Sequence, residues 1–436
     1  MGIQNFPAAL QPIIQQGFLE REFQTGLQSR LGFRAIADRE EIPNKVGETV
    51  TKTRRGLKAP TTTPLTPSSN TNLDNGLTPA AWTIEQYTLN MNMYGDTIDL
   101  NMVTQGVGIA KQFMANAQVN GVQANQSLNR LARDALFNSY LGGNTRVKTT
   151  LGAPATTVAV DDIRGFRNVL VNGVVTAISV ANPMTVTIGA GSYTLTGAVA
   201  DVTNTSTAPG GISGTLTLSA NVSVSDGTAG NAVVSATAPL VLRPSSKTST
   251  SGLLKTDLLT MQLVLSAVAS LRSNNVPTID GMYNCYLDDN HLLELFQDGD
   301  FKLLYRGAYG SDTYRNGQII ELLGVRFVPT NEAYQQTLSG VPIRRAIVCG
   351  QGALVEGDFA STGYSDIDNG EDSLKQMIGG VCMVTREPLD RLQQIIAQSW
   401  YWIGGFAVPT DATANTLIIP TASNSYFKRA VVLESA

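Results

Sequence analysis

The sequence predicts an α+β protein that is interrupted by an inserted all-β sandwich or barrel. Apolar residues with helical spacing alternate with β-type runs through most of the chain, which is the pattern of a mixed fold. Between Asn168 and Leu242 the composition changes, because Asp201 and Asp226 are the only charged residues there. The length of 436 residues leaves room for about three domains, at roughly 150 residues each.

The overall composition excludes several classes of protein. Charged residues make up 15% of the chain, against roughly 25% in an average soluble protein. A net charge of −4 disfavours a protein that coats nucleic acid, since that affinity comes from Lys and Arg on phosphates. The start of the chain lacks the features of a signal peptide, and no apolar run reaches the roughly 20 residues of a membrane span, so no membrane partner is expected.

Residues 1–45 predict an amphipathic N-terminal arm. Large apolar residues recur there at four- and five-residue spacing, as on one face of a helix. They are Ile14, Phe18, Phe23, Leu27 and Leu31. A helix packed on its own domain is an equally good interpretation of this spacing.

Residues 46–95 predict an extended β-loop, formed by two strands and a proline-rich tip. The β-type stretch 47–56 leads into 59–67, where three prolines among threonines prevent a central strand, and the chain returns through 82–93. A two-stranded ribbon alone is at best marginally stable in water, so this arm needs a surface to lie on.

Basic residues cluster on the first strand of this arm and just beyond it. They are Lys45, Lys52, Arg54, Arg55 and Lys58, with Glu48 as the only nearby acid. Two interpretations stay open: a solvated edge protected against aggregation, or a contact with an acidic patch of a neighbouring subunit. Under the second interpretation, Lys52, Arg54, Arg55 and Lys58 are the intersubunit contact residues. DNA binding ranks below both, because the interleaved aromatic residues of single-strand binders are missing.

The remaining elements follow in order. Apolar spacing predicts a helix from Val103 to Tyr140, on the order of 50 Å long and able to serve as a spine. It belongs to a peripheral domain of residues 96–149 and 386–436, which closes with a long β-prone stretch. The β insertion is placed at residues 150–246, and residues 247–385 predict an axial α/β domain. In that domain Asp288 caps a short helix, and two strands flank Gly324.

The sequence offers no strong catalytic constellation and implies no cofactor. The only histidine, His291, lies six residues after Cys285, so a Cys–His enzyme is a hypothesis that requires a hyper-reactive thiol. A Ser–His–Asp triad lacks a nucleophile elbow. The acidic run 366–372 is interpreted as a solvated surface loop. Its alternative is a weak cation site formed by Asp366, Asp368 and Asp372, although Met377 stands where a calcium loop needs a bidentate Glu.

The order of these parts resembles the major capsid protein of tailed bacteriophages, with the Hong Kong 97-type capsid fold. Two stretches carry the resemblance further. Gly47-Glu48-Thr49-Val50 before a proline- and threonine-rich segment looks like the start of the family's extended loop. Residues 286–293 followed by 317–328, Gly-Gln-Ile-Ile-Glu-Leu-Leu-Gly-Val-Arg-Phe-Val, look like the family's axial-domain pattern. The resemblance covers most of the chain except the β insertion.

The resemblance implies a structural protein rather than an enzyme. Copies of the chain would assemble as hexamers and pentamers into an icosahedral shell that encloses double-stranded DNA without sequence-specific binding. A separate scaffolding protein is expected, since the arm begins almost at Met1, together with a portal and a decoration protein as further partners. The location would be the virion, after assembly in the host cytoplasm. A second hypothesis is a phage tail or surface adhesin-type protein whose β insertion binds glycans.

Overall fold

The computed structural model describes most of the chain in separate stretches. The described residues are 10, 18–27, 32–42, 49–58, 84–101, 109–171, 174–303, 321–359, 375–386, 391–392, 394–409 and 428–436. Several predictions fall outside them: the tip of the arm (59–83), Lys45, the acidic run with Asp366, Asp368 and Asp372, and residues 317–320.

The described residues form four α-helices and 23 strands, numbered here in chain order. The helices are α1 (Phe18–Leu27), α2 (Ile109–Tyr140), α3 (Met261–Ser273) and α4 (Asp289–Gln297). The strands are β1 (Asp38–Ile42), β2 (Thr49–Arg55), β3 (Ile84–Asn90), β4 (Asn92–Asn101), β5 (Asn144–Arg146), β6 (Ala155–Val160), β7 (Asn168–Val171), β8 (Val174–Ala177), β9 (Met184–Ile188), β10 (Gly191–Ala200), β11 (Gly214–Val222), β12 (Ala232–Ser235), β13 (Val241–Leu242), β14 (Tyr283–Leu287), β15 (Glu321–Leu322), β16 (Val325–Pro329), β17 (Gln335–Leu338), β18 (Val341–Cys349), β19 (Val355–Phe359), β20 (Lys375–Ile378), β21 (Val381–Arg386), β22 (Ile395–Ala407) and β23 (Ala430–Ser435). This content agrees with the predicted α+β class.

Helix α2 joins two separate hydrophobic cores. Its 32 residues span about 48 Å, and it ends at Tyr140, the residue predicted from the sequence. Phe113 and Ala117, in its first half, pack in one core with Trp400 and Trp402 of β22. The second half carries Leu136, Phe137 and Tyr140 into another core. The predicted start at Val103 lies outside the described residues.

Two mixed sheets lie on these cores. In the first sheet the spatial order is β1-β19-β22-β21-β20. All residues of β4 also pair with β22. In the second sheet the order is β13-β23-β18-β14-β16-β15, and β17 also pairs with β18. The second sheet packs against α3 and α4. Its β15–β16 hairpin turns through Leu323 and Gly324, whose positive φ values of 53° and 82° suit a tight hairpin turn around the predicted Gly324.

Six of the strands between Asn144 and Ser235 form a sheet that closes on itself, and β7 and β8 pair separately as a hairpin. The order in the closed sheet is β5-β12-β9-β10-β11-β6. A bridge between Val147 and Val160 then joins the first strand to the last, with the Lys148 amide donating to the Ala159 carbonyl at 2.9 Å. The interior is apolar. We call this unit the barrel; it follows directly on the end of α2.

The structure changes several predicted boundaries. The barrel occupies 144–235 rather than 150–246, because Val241 and Leu242 pair with β23 in the second sheet. Strand β23, assigned from sequence to the peripheral closing strands, lies inside the second sheet next to β18. Conversely β19, β20 and β21, assigned to the axial domain, belong to the first sheet. The partners of β13 and β23 lie far away in sequence, so no local pattern indicates those two pairings.

The N-terminal segment is bound to its own chain. Phe23 of α1 is fully buried with Phe113 of α2, which supports the interpretation of a helix packed on its own domain. Farther along, Arg34 forms a buried ion pair with Glu356, its Nε donating to both carboxylate oxygens at 3.0 Å. This pair fixes the segment before β1 against β19.

Candidate functional site

The base of the β-arm is the first candidate site. Strands β2 and β3 pair antiparallel without interruption, from Thr49 opposite Asn90 to Arg55 opposite Ile84. Exposed and half-buried side chains alternate along β2, as the two-residue period of a strand requires. One face therefore turns toward the body of the chain, and the other turns away from it.

An apolar cluster holds the arm at its base. Tyr87, Leu89 and Met91 are buried together with Ala407 at the end of β22, and Val175 of the β7–β8 hairpin packs against them. The backbones at Gly405 and Asn90 lie so close together that a Cβ on Gly405 would be 1.8 Å from the Asn90 carbonyl oxygen. Only glycine fits at position 405. The β7–β8 hairpin, which lies between two barrel strands in sequence, thereby contacts the arm.

Two of the four predicted contact residues face the chain's own body. Lys52 forms an ion pair with Glu40 of β1. Arg54 Nη1 donates to the Gly352 carbonyl at 3.3 Å. Burial raises the pKa of Asp38, while the nearby positive charge of Arg54 opposes this shift. These contacts attach the arm to the strands beneath it.

The other two predicted contact residues, Arg55 and Lys58, have exposed side chains. The structure thus separates the predicted cluster into an anchoring pair, Lys52 and Arg54, and an outward pair, Arg55 and Lys58. Sequence reasoning missed this division, although the alternation of a strand already places Lys52 and Arg54 on the same side as Val50. Their partners lie on β1 and before β19, which no local pattern indicates.

A second polar cluster surrounds the only histidine. Asp288 caps α4, as predicted, by accepting a hydrogen bond from the His291 amide at 2.7 Å. The His291 ring lies between two groups: Nδ1 is 3.2 Å from Asp288 Oδ1, and Nε2 is 2.8 Å from Ser435 Oγ. Ser435 also donates to Glu294 at 3.2 Å. Burial lowers the pKa of His291 to about 4; Asp288 opposes this shift, and Arg344 adds to it.

The cluster has the residue types of a hydrolytic triad but not its accessibility. His291 and Ser435 are both fully buried, and Asp288 is 2% exposed. No substrate reaches such a serine in the folded chain. Instead, the network ties the last strand, β23, to the capped helix α4, and Ser435 is the partner that sequence reasoning missed.

The proposed Cys285–His291 pair does not form. Cys285 is buried in the apolar core between the second sheet and α3, and burial raises the pKa of its thiol to about 12. A thiol in this state is not a nucleophile at neutral pH. The hyper-reactive cysteine of the enzyme hypothesis is therefore wrong for this position.

Potential metal ligands do not cluster among the described residues. In those ranges, no group of three or more His, Cys, Asp or Glu side chains is placed to hold a metal ion. The candidate cation site of Asp366, Asp368 and Asp372 lies outside them and stays a prediction. No helix within the described ranges combines the length and apolar character that a membrane crossing requires.

Comparisons with known proteins find similar chains among solved structures. No family model matches the chain, and no curated protein matches it. Many of the solved structures to which it is similar are phage capsids.

Three solved structures illustrate the level of similarity. The capsid structure of the cyanophage P-SCSP1u is 11% identical, with a TM-score of 0.47 over 93% of this chain and 88% of that chain. The capsid of Ralstonia phage GP4 has the same identity, coverage and TM-score. The asymmetric unit of the bacteriophage PhiM1 mature capsid is 7% identical, with a TM-score of 0.47 over 94% and 88% of the two chains. At these identities and TM-scores, the similarities assign no role to any residue of this chain.

Proposed function

We propose that this chain is the major capsid protein of a tailed bacteriophage, with the Hong Kong 97-type fold. In this proposal it assembles as hexamers and pentamers into the icosahedral shell that encloses the packaged DNA. The observation that carries the proposal is the order of parts on one chain. A bound N-terminal segment is followed by a two-stranded arm, a long spine helix, an inserted barrel and an α/β sheet.

The arm is the part that most needs another subunit. A two-stranded ribbon is marginally stable alone, and the described contacts of this arm lie on one face, through the apolar cluster at its base and through Lys52 and Arg54. Above the base, the face carrying Arg55 is exposed. An arm held by its own chain along one face and exposed along the other suits a connection between neighbouring copies of a chain.

The spine helix suits a load-bearing role. A helix of about 48 Å that contributes to two cores couples the first sheet to the second. Such a subunit keeps its shape when neighbours contact it on several sides. Shell stability would then come from many interfaces, each burying on the order of 1,600 Å².

The net charge suits a container for DNA. At −4, the chain lacks the excess of Lys and Arg with which coating proteins neutralise phosphates. The proposal therefore includes enclosure of DNA without sequence-specific contacts. It also includes a separate scaffolding protein, a portal and a decoration protein as partners, and assembly in the host cytoplasm.

The proposal is tested by assembly of the full chain. We expect closed particles in electron micrographs when the chain is expressed together with its scaffolding protein. A strictly monomeric chain under those conditions, measured by analytical ultracentrifugation, contradicts the proposal. If that monomer binds a glycan array through the inserted region, the adhesin alternative is favoured instead.

A matched pair of variants tests how the arm acts. We expect Arg55→Glu to lower particle yield while the circular dichroism of the unassembled chain stays unchanged, because Arg55 faces outward. We expect Arg54→Glu to loosen the arm within its own subunit, because its carboxylate would face Gly352 and Asp38. Normal yield from Arg55→Glu would show that this charge makes no contact that assembly needs.

A further inference from the structure

The junction between the barrel and the second sheet encloses a small polar cavity. Its volume is about 40 Å³. Charged side chains from both units line it: Arg146, Asp161, Asp162 and Arg164 from the barrel side, and Arg243, Arg345 and Glu434 from the sheet side.

Charges around this cavity do not balance. On the barrel side, Arg146 lies 3.4 Å from Asp161, and Arg164 lies 2.6 Å from Asp162, so each arginine has its own carboxylate. On the sheet side, one carboxylate serves two arginines. Glu434 receives Arg243 Nε and Arg345 Nε, both at 2.7 Å. The sheet side therefore holds one positive charge in excess.

Arg345 is the arginine whose hydrogen bonds are incomplete. It is 3% exposed, and its Nη2 donates to Gln336 Oε1 at 2.6 Å. Its Nη1 is buried and has no hydrogen-bond partner among the described residues. Leaving a charged donor unsatisfied in the interior is costly, so a group outside the chain is expected at this nitrogen.

We propose that this cavity binds a small monovalent inorganic anion, chloride or a similar halide, at Nη1 of Arg345. The volume is sufficient, since roughly 10–15 Å³ of such space already holds a water molecule. A water molecule would satisfy the hydrogen bond but leave the excess charge uncompensated. An anion does both, and buried charges are stable only when they are paired.

The bound anion would fasten the barrel to the second sheet. Direct hydrogen bonds across this junction include Gln336 Nε2 donating to Thr207 Oγ1 of the barrel at 3.2 Å and Arg146 Nη1 donating to Ser251 Oγ at 3.3 Å, and neither of them joins two charged groups. An ion between charged groups of both units adds an electrostatic link. This inference does not depend on the function proposed above.

The wild-type full chain provides the first test, with sodium bromide as the probe and sodium gluconate at equal ionic strength as the reference salt. We expect bromide to raise the calorimetric unfolding temperature saturably, on the order of a few degrees, because it binds the folded state only. Crystals grown in bromide should show one anomalous peak within hydrogen-bond distance of Arg345 Nη1. Equal unfolding temperatures in the two salts, or no peak at that nitrogen, would overturn the proposal.

Gln336→Glu supplies the missing negative charge from within the chain. We expect this variant to lose the response to bromide, and to unfold in gluconate at about the temperature of the wild-type chain in bromide. The matched control is Gln262→Glu, at an exposed position on α3, which should keep the full bromide response. A Gln336→Glu variant that still responds to bromide as the wild type does would count against the site.

Discussion

The barrel and the two sheets differ in how far apart in sequence their paired strands lie. In the barrel, β9, β10 and β11 follow one another and pair as neighbours, for example Leu195 with Leu218. In the first sheet, Asp38 of β1 pairs with Val355 of β19, and β4 pairs with β22. Contacts of short sequence separation form faster than distant ones, so we expect the barrel to fold first and by itself.

The two regions also differ in what lies in their interiors. The barrel core consists of apolar side chains, and the barrel's buried ion pair, Arg164 with Asp162, joins residues only 2 positions apart in the chain. The sheets contain buried ion pairs, Arg34 with Glu356 and Arg345 with Glu434. Buried pairs add little net stability, yet breaking one leaves an uncompensated charge. We infer that these pairs fix the register of strands whose paired residues lie 322 and 89 positions apart in the chain, a task the barrel hairpins do not have.

Removal of the barrel is the most drastic test of this contrast. The Ser235 amide donates to the Gly143 carbonyl at 2.8 Å, so the two ends of the barrel lie side by side and a short glycine linker can replace residues 144–234. We expect the remainder to fold and to keep the near-ultraviolet circular dichroism of Trp400 and Trp402. A protease-sensitive remainder without that signal would show that the sheets depend on the barrel.

Glu356→Gln should produce the next largest effect. The fully buried Arg34 charge would lose its partner, which costs on the order of 3–5 kcal/mol of unfolding free energy, measured by denaturant titration. Hydrogen exchange should rise in both sheets but not in the barrel. The control is Arg39→Ala, because Arg39 lies 3.8 Å from Glu356 but its side chain is 56% exposed; it should cost about 1 kcal/mol or less.

Replacing both members of the buried pair refines this test. An Arg34→Met/Glu356→Met variant removes both charges, so it should recover most of the stability lost in Glu356→Gln. If the recovered protein also shows altered pairing of β1 with β19, the ion pair specifies register. Native pairing in the double variant would contradict our inference about register.

The same contrast explains which parts of the fold the sequence predicted. The end of α2 at Tyr140, the Asp288 cap and the hairpin around Gly324 depend on neighbouring residues, and they were predicted. The position of β23 was not, because nothing in its own residues indicates that β18 is its neighbour. The candidate site follows the same rule. The basic residues on β2 were identified, whereas their partners were not: Glu40 lies on another strand, β1, and Gly352 lies 298 residues from Arg54.

The single histidine gives the third prediction, an acid sensitivity confined to the second sheet. Burial lowers the pKa of His291 to about 4 from the ordinary 6.5, so between these values the unfolded chain binds more protons than the folded chain. The contribution of His291 to the free energy of unfolding is therefore complete above about pH 6.5, and it falls as the pH drops to about 4. The loss is on the order of 3 kcal/mol.

Comparison of pH profiles isolates this contribution. Asp288, Glu294 and Arg344 face the same cluster, and burial raises the pKa of Glu294, so the wild-type profile contains more than one group. His291→Gln removes only the imidazole. The difference between the two unfolding profiles should be confined to pH 4–6.5. Parallel profiles across that range would show that His291 does not titrate there.

The smallest expected effect concerns the point where the β7–β8 hairpin meets the rest of the chain. Val175 packs against the arm base, whereas the adjacent Val174 is 50% exposed. Val175→Ala removes about two methylene-sized groups from a half-buried contact and should cost about 1 kcal/mol or less. The measurement is hydrogen exchange of Ile84–Asn90, which should become faster in Val175→Ala and stay unchanged in Val174→Ala. Equal exchange in both variants would mean that the hairpin only touches the arm, and that the barrel and the arm are independent. Faster exchange in Val175→Ala alone would mean that a locally folded insertion helps to set the position of an arm whose own strands cannot hold it.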